Sequence, residues 1–117
     1  MRSIMTALLL LASSSTAASA QSVGGRYTVK GTNLDGSSYD GTVTISPSGS
    51  TCRIVWETSM TTKGICMLYD KAFSAYYSAG NDIGLVVYEL QSDGRLKGAW
   101  TVADKKGTGT ETLTPVK

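Results

Sequence analysis

The sequence contains no histidine. That removes Ser-His-Asp and Cys-His catalysis, and with them the commonest metal ligand. Only two cysteines are present, Cys52 and Cys66, too few for a thiolate metal site without other ligands. No G-x-S-x-G, Walker loop, C-x-x-C or EF-hand spacing occurs anywhere. No metal site, cofactor or catalytic residue is therefore expected. Basic clusters are missing beyond Lys105-Lys106, and 11 basic residues face 9 acidic ones. A nucleic-acid partner would require a clustered basic footprint, so that class is excluded. Proline occurs only twice, and no amphipathic helical pattern appears after residue 20. A mainly helical fold is thereby excluded as well.

Long apolar runs are also scarce. Ile4 to Ala12 is too short to cross a bilayer as a helix. It follows the charged Arg2 and precedes Ala18-Ser19-Ala20, an A-x-A cleavage signal before Gln21. Residues 1–20 read as a secretory signal peptide, and residues 21–117 as one domain. Removing 20 residues from 117 leaves 97, with no membrane anchor after cleavage. The expected location is periplasmic or extracellular. In an exported chain, Cys52 and Cys66 most simply form a disulfide. It would close a loop of about 15 residues, contributing about 3 kcal/mol in the chain-entropy model.

What is abundant is glycine, threonine, valine and tyrosine, which suit short strands joined by turns. Eight strands are expected, at 26–32, 39–46, 51–57, 62–69, 72–78, 83–91, 95–103 and 107–114. Short connections throughout suggest a meander closed into a barrel, with a sandwich as the alternative.

Parity then assigns faces, because cross-strand partners share a face. Tyr39, Gly41, Val43 and Ile45 point inward, opposite Asp40, Thr42 and Thr44. Leu96, Gly98, Trp100 and Val102 point inward on the seventh strand. Between the sixth and seventh, a two-residue Asp93-Gly94 turn would drive Glu89 into the core. A three-residue loop, Ser92-Asp93-Gly94, keeps Glu89 in water and lets Gly94 supply a left-handed bulge residue. It pairs Tyr88 with Gly98 and Val86 with Trp100. Extended to the other hairpins, the same reasoning sets Gly31 against Tyr39 and Gly64 against Tyr77. It also sets Cys52 against Cys66, Ile54 against Gly64, and Trp56 against Thr62. A strand glycine facing a tyrosine allows tight curvature, with the ring covering bare backbone.

Most carboxylates lie in turns (Asp35, Asp70, Asp82, Asp93, Asp104) or at outward positions. Glu111 is different. In Gly109-Thr110-Glu111-Thr112-Leu113-Thr114, an inward Leu113 carries Glu111 inward with it. A buried carboxylate needs partners, and Arg26 or a tyrosine hydroxyl is expected to supply them. Tyr27, Tyr39, Trp56, Phe73, Tyr77, Tyr88 and Trp100 all fall on inward positions. They form either ordinary core or the walls of a ligand site. In the second case Tyr39, Trp56, Tyr77, Tyr88, Trp100 and Glu111 are the candidate binding residues.

Gly25-x-Tyr27-x-Val29-x-Gly31-Thr32-Asn33-x-Asp35-Gly36-Ser37-x-Tyr39-x-Gly41-Thr42-Val43 resembles a family of small exported bacterial proteins. Asp93-Gly94-x-Leu96-x-Gly98-x-Trp100-Thr101 and Gly109-Thr110-Glu111-x-Leu113-Thr114-Pro115 carry the same resemblance. It spans nearly the whole mature chain, and some members bear the label fibronectin-binding protein. In that family the positions of Cys52 and Cys66 are usually not cysteines. The opening G-x-[WY] and the meander also make the chain similar, at the level of fold, to avidin-like and lipocalin-like barrels.

The expected protein is all-β: an eight-stranded antiparallel up-and-down barrel. Its expected function is non-catalytic binding of a small apolar ligand or of a protein surface. The alternatives are an inhibitor of a secreted hydrolase and a fibronectin-binding-like adhesin. Oligomeric state is left open by the sequence.

Overall fold

The computed structural model describes residues 22–117, so the signal-peptide reading of residues 1–20 lies outside the described residues. Eight antiparallel strands form a closed barrel in simple chain order. They are β1 (Gly25–Thr32), β2 (Ser38–Ser48), β3 (Thr51–Glu57), β4 (Thr61–Tyr69), β5 (Ala72–Ala79), β6 (Asp82–Leu90), β7 (Leu96–Val102) and β8 (Gly109–Pro115). The barrel replaces the sandwich alternative. Closure pairs β8 with β1 as well as β7, so no strand edge is left exposed. The spans differ most from expectation at β8, which begins two residues later, and at β2, which continues through Pro47 to Ser48. Pro47 pairs with Cys52 beside the turn. A proline is tolerated near a strand end, where a ladder donor is least needed.

The expected hairpin registers hold. Tyr39 pairs with Gly31, Tyr77 with Gly64, and Tyr88 with Gly98, while Val86 pairs with Trp100. Gln91 and Arg95 bracket the Ser92-Asp93-Gly94 loop through a backbone bond, and Gly94 has φ +89°. Asp93 accepts from the Arg95 backbone N–H and pairs with its guanidinium at 2.7 Å, tying the loop down.

The role expected for the glycines needs correction at two of three positions. Tyr39 does cover Gly31: a Cβ there would sit 2.6 Å from the ring. Tyr77 instead covers Gly84, its partner on the other side. Gly64 and Gly98 are required by backbone crowding, since a Cβ would lie 1.8 Å from the Tyr76 carbonyl and 1.9 Å from that of Val87. At those two sites only a residue without a Cβ fits.

The two ends of the barrel differ. At one end the turns β2–β3, β4–β5 and β6–β7 surround a packed floor of Phe73, Leu90, Leu96 and Leu113. Val23, from the segment preceding β1, is buried in the same cluster. Tyr27 fixes that segment, accepting a hydrogen bond from the Gly24 N–H at 2.9 Å. Cys52 and Cys66 are paired, buried and disulfide-bonded, with their Cα atoms 5.0 Å apart. The bond staples β3 to β4 from the inside.

The outer surface is uneven. β1, β2 and β8 present threonines, serines and charges, as alternation predicts. The outer side of β4–β6 exposes Ile65, Met67, Tyr69, Tyr76, Leu85 and Val87. Ile65, Tyr76 and Leu85 are consecutive cross-strand partners, so this apolar surface is continuous.

Candidate functional site

The opposite end carries the β1–β2, β3–β4, β5–β6 and β7–β8 connections and opens into a cup of about 590 Å³. Its walls are Tyr39, Trp56, Tyr77, Val86 and Trp100, with Glu111 below them. Thr58, Ser59 and Met60 of the β3–β4 loop form part of the rim. Of the six candidate binding residues, five line the cup. The sixth, Tyr88, is 1% exposed and lies in the floor against Phe73, ring centroids 5.9 Å apart. The seven inward aromatics therefore divide by depth. Tyr27, Phe73 and Tyr88 are core, Trp56 is buried at the wall, and Tyr39, Tyr77 and Trp100 are half-buried. Trp56 meets Tyr77 edge-on at 5.4 Å, and Tyr39 meets Trp100 edge-on at 6.3 Å.

Glu111 organises the base of the cup. It is 5% exposed and accepts three hydrogen bonds. Tyr39 donates to Oε1 at 2.7 Å, Trp56 Nε1 donates to Oε2 at 3.1 Å, and the Tyr88 hydroxyl also donates to Oε2. The ladder explains why the tyrosines reach. Glu111 pairs with Gly31 of β1 on one side and Gly98 of β7 on the other. Beyond those glycines stand Tyr39 and Tyr88. The row Tyr39–Gly31–Glu111–Gly98–Tyr88 crosses five adjacent strands. At Gly31 the missing side chain leaves the space over which the Tyr39 phenol extends to the carboxylate. Arg26, the other partner expected for Glu111, is elsewhere. It is exposed at the closed end, opposite Thr44, five residues along β1 from Gly31.

The carboxylate controls the phenols around it. Burial and the nearby Glu111 charge push the Tyr39 and Tyr88 hydroxyls well above the ordinary tyrosine range. The same causes push Tyr77 up to about 12. In the unfolded chain a phenol titrates near pH 10. Between about pH 10 and 12, then, the unfolded state binds fewer protons than the native state. Stability must fall as pH rises through that window and be fully present below it. Urea midpoints should be flat from pH 7 to about 9 and drop steeply by pH 10.5. A midpoint unchanged at pH 10.5 would show that these hydroxyls are not held protonated by the fold.

Trp100 differs from Trp56. Its ring covers Gly109, where a Cβ would lie 2.3 Å from Nε1. The buried Nε1 completes no hydrogen bond. Among the described residues, no cluster of three or more potential metal ligands occurs. Nor is any helix there long and apolar enough to cross a membrane.

No family model and no curated protein matches the sequence. Solved structures do match in fold. A redesigned beta barrel, mFAP1, bound to DFHBI is 24% identical, with a TM-score of 0.70 over 80% of this chain and 94% of that one. A Schistosoma mansoni fatty acid binding protein in complex with arachidonic acid has a TM-score of 0.54 at 14% identity, covering 84% of this chain and 98% of that one. A mutant of the fluorescent protein UnaG has a TM-score of 0.53 at 12% identity, covering 83% and 97%. The chain has the barrel fold of these proteins. Identities this low establish the fold alone.

Proposed function

We propose that this protein is an exported, non-catalytic carrier or receptor for a small apolar ligand, held in the cup. One observation carries the reading: a half-open cavity with aromatic walls stands over a sealed floor in a barrel of only eight short strands. A barrel of this size can be filled by side chains or can hold one small ligand. Here the closed half is filled and the open half is not. The volume lies within the roughly 300–1,000 Å³ usual for small-molecule sites. The fold neighbours whose titles name arachidonic acid and DFHBI support the same use of the architecture. The disulfide suits an oxidising compartment, which supports export.

N-phenyl-1-naphthylamine, an uncharged fluorophore, tests the reading. At about 0.3–0.5 kcal/mol per heavy atom, its expected Kd is on the order of 10 μM. Binding should be saturable, one to one, and accompanied by changed Trp56 and Trp100 emission. Val102→Trp fills the cup from its wall and should abolish binding while leaving the far-UV spectrum unchanged. Non-saturable binding, or binding indifferent to Val102→Trp, would refute the reading.

The apolar outer face of β4–β6 favours a second reading, docking onto a protein surface, as in the inhibitor and adhesin alternatives. Leu85→Lys separates the two. It lies outside the cup and should leave fluorophore binding untouched.

A further inference from the structure

We infer that the cup selects uncharged ligands and rejects carboxylates, although barrels of this fold include one complexed with a fatty acid. The inference rests on the ligand-binding reading and names the chemistry the site accepts. Among the described residues, no lysine or arginine lines the cup, whereas Glu111 and Asp82 both do. At the rim, Lys105 is engaged with the cup-lining Asp82 at 3.4 Å. Charges of both signs surround the mouth: Asp35, Glu57, Asp82 and Asp104 stand at that end with Lys105 and Lys106, and Lys30, Asp40 and Lys63 lie on the outer faces of the adjoining strands, outside the cup.

A ligand carboxylate entering this space would lose its hydration and meet a second carboxylate at the base. Burying an anion without a cation or several donors is strongly unfavourable. The donors at the base are engaged except the Trp100 N–H, a single donor that does not offset the neighbouring carboxylate. The hydroxyls of Tyr39 and Tyr88 and the Trp56 N–H all donate to Glu111. Tyr77 donates to the Thr101 carbonyl. Glu111 thus has two effects: it repels anions and it occupies the groups that would bind them. Because its oxygens are already supplied with donors, an uncharged ligand meets the aromatic ring faces together with the threonine and serine side chains that also line the cup. Flat apolar molecules with an uncharged polar end fit this lining.

Two compounds with the same ring system separate charge from shape: anthracen-9-ylmethanol and anthracene-9-carboxylate. Each is titrated into the full mature domain at pH 7.5 in low salt, following quenching of Trp56 and Trp100. The alcohol should bind at least fivefold more tightly than the carboxylate. Ser59→Lys places a cation on the exposed rim of the cup without disturbing the core. It should shift the alcohol-to-carboxylate affinity ratio at least threefold in favour of the carboxylate. A wild-type ratio below fivefold overturns the inference while leaving ligand binding intact. So does a ratio that Ser59→Lys does not reduce, since selection would then come from shape. Failure of both compounds to bind overturns the ligand-binding reading itself.

Discussion

Glu111→Leu is expected to lower the unfolding free energy by about 3–5 kcal/mol, a large share of the roughly 5–15 kcal/mol typical of a domain. The carboxylate is the common acceptor for Tyr39, Trp56 and Tyr88. Leucine removes this acceptor from all three donors, leaving the Trp56 N–H only its long 3.4 Å bond to the Tyr88 hydroxyl. Each donor that neither protein nor water satisfies costs about 1–3 kcal/mol. Tyr39 stands at the cup wall and can turn to solvent, so Trp56 and Tyr88 carry most of the cost. Glu111→Gln retains one carbonyl acceptor and should cost about half as much. The double variant Glu111→Leu, Tyr88→Phe removes a donor together with its acceptor. Its loss should be smaller than the sum of the two single losses by at least about 1 kcal/mol, because the residues are coupled. Urea denaturation of oxidised protein measures all four species. A cost below about 1 kcal/mol for Glu111→Leu would mean that the row of hydrogen bonds contributes nothing net.

That row shows where sequence reading succeeds and where it stops. Within a hairpin, register follows from turn length and from which side chains tolerate burial. The pairs Gly31–Tyr39 and Gly98–Tyr88 were legible for that reason. The inward direction of Glu111 followed from Leu113, which is fully buried. The closing contact of β8 with β1 has no turn to fix it. Nothing local said that Glu111 would meet Gly31 rather than lie near Arg26. Once closure is known, two glycine–tyrosine pairs and one carboxylate become a single network. Depth was illegible for a related reason. Parity says which face a side chain takes, whereas height along the barrel axis depends on strand tilt and stagger. Tyr88 and Tyr77 therefore looked equivalent, yet one is floor and the other wall. The apolar outside of β6 does have a signal in the sequence. Ile83 to Tyr88 is apolar or glycine throughout, a run that alternation with a solvated face would not produce.

Height along the axis also separates the expected effects of truncating Phe73 and Trp100. Phe73 is fully buried in the floor beside Tyr88. Phe73→Ala should destabilise by about 3–5 kcal/mol, because it removes transferred apolar area and leaves a cavity that the closed end cannot collapse. It should alter ligand affinity little among molecules that remain folded. Trp100 is larger, and by size alone its removal would cost more. It is, however, half-buried, with one face toward the cup and its Nε1 buried without a partner. Truncation opens space that is already continuous with solvent, so the cavity penalty is mostly absent. It also deletes an unsatisfied buried donor, which offsets part of the lost packing against Gly109 and Tyr39. Trp100→Ala should therefore cost about 1–2 kcal/mol, less than Phe73→Ala, while weakening N-phenyl-1-naphthylamine binding about tenfold. Parallel urea curves with unchanged denaturant slope, together with fluorophore titrations, decide the matter. If Trp100→Ala costs as much stability as Phe73→Ala and leaves affinity unchanged, the indole belongs to a continuous packed core. The open half of the barrel would then not be a binding site.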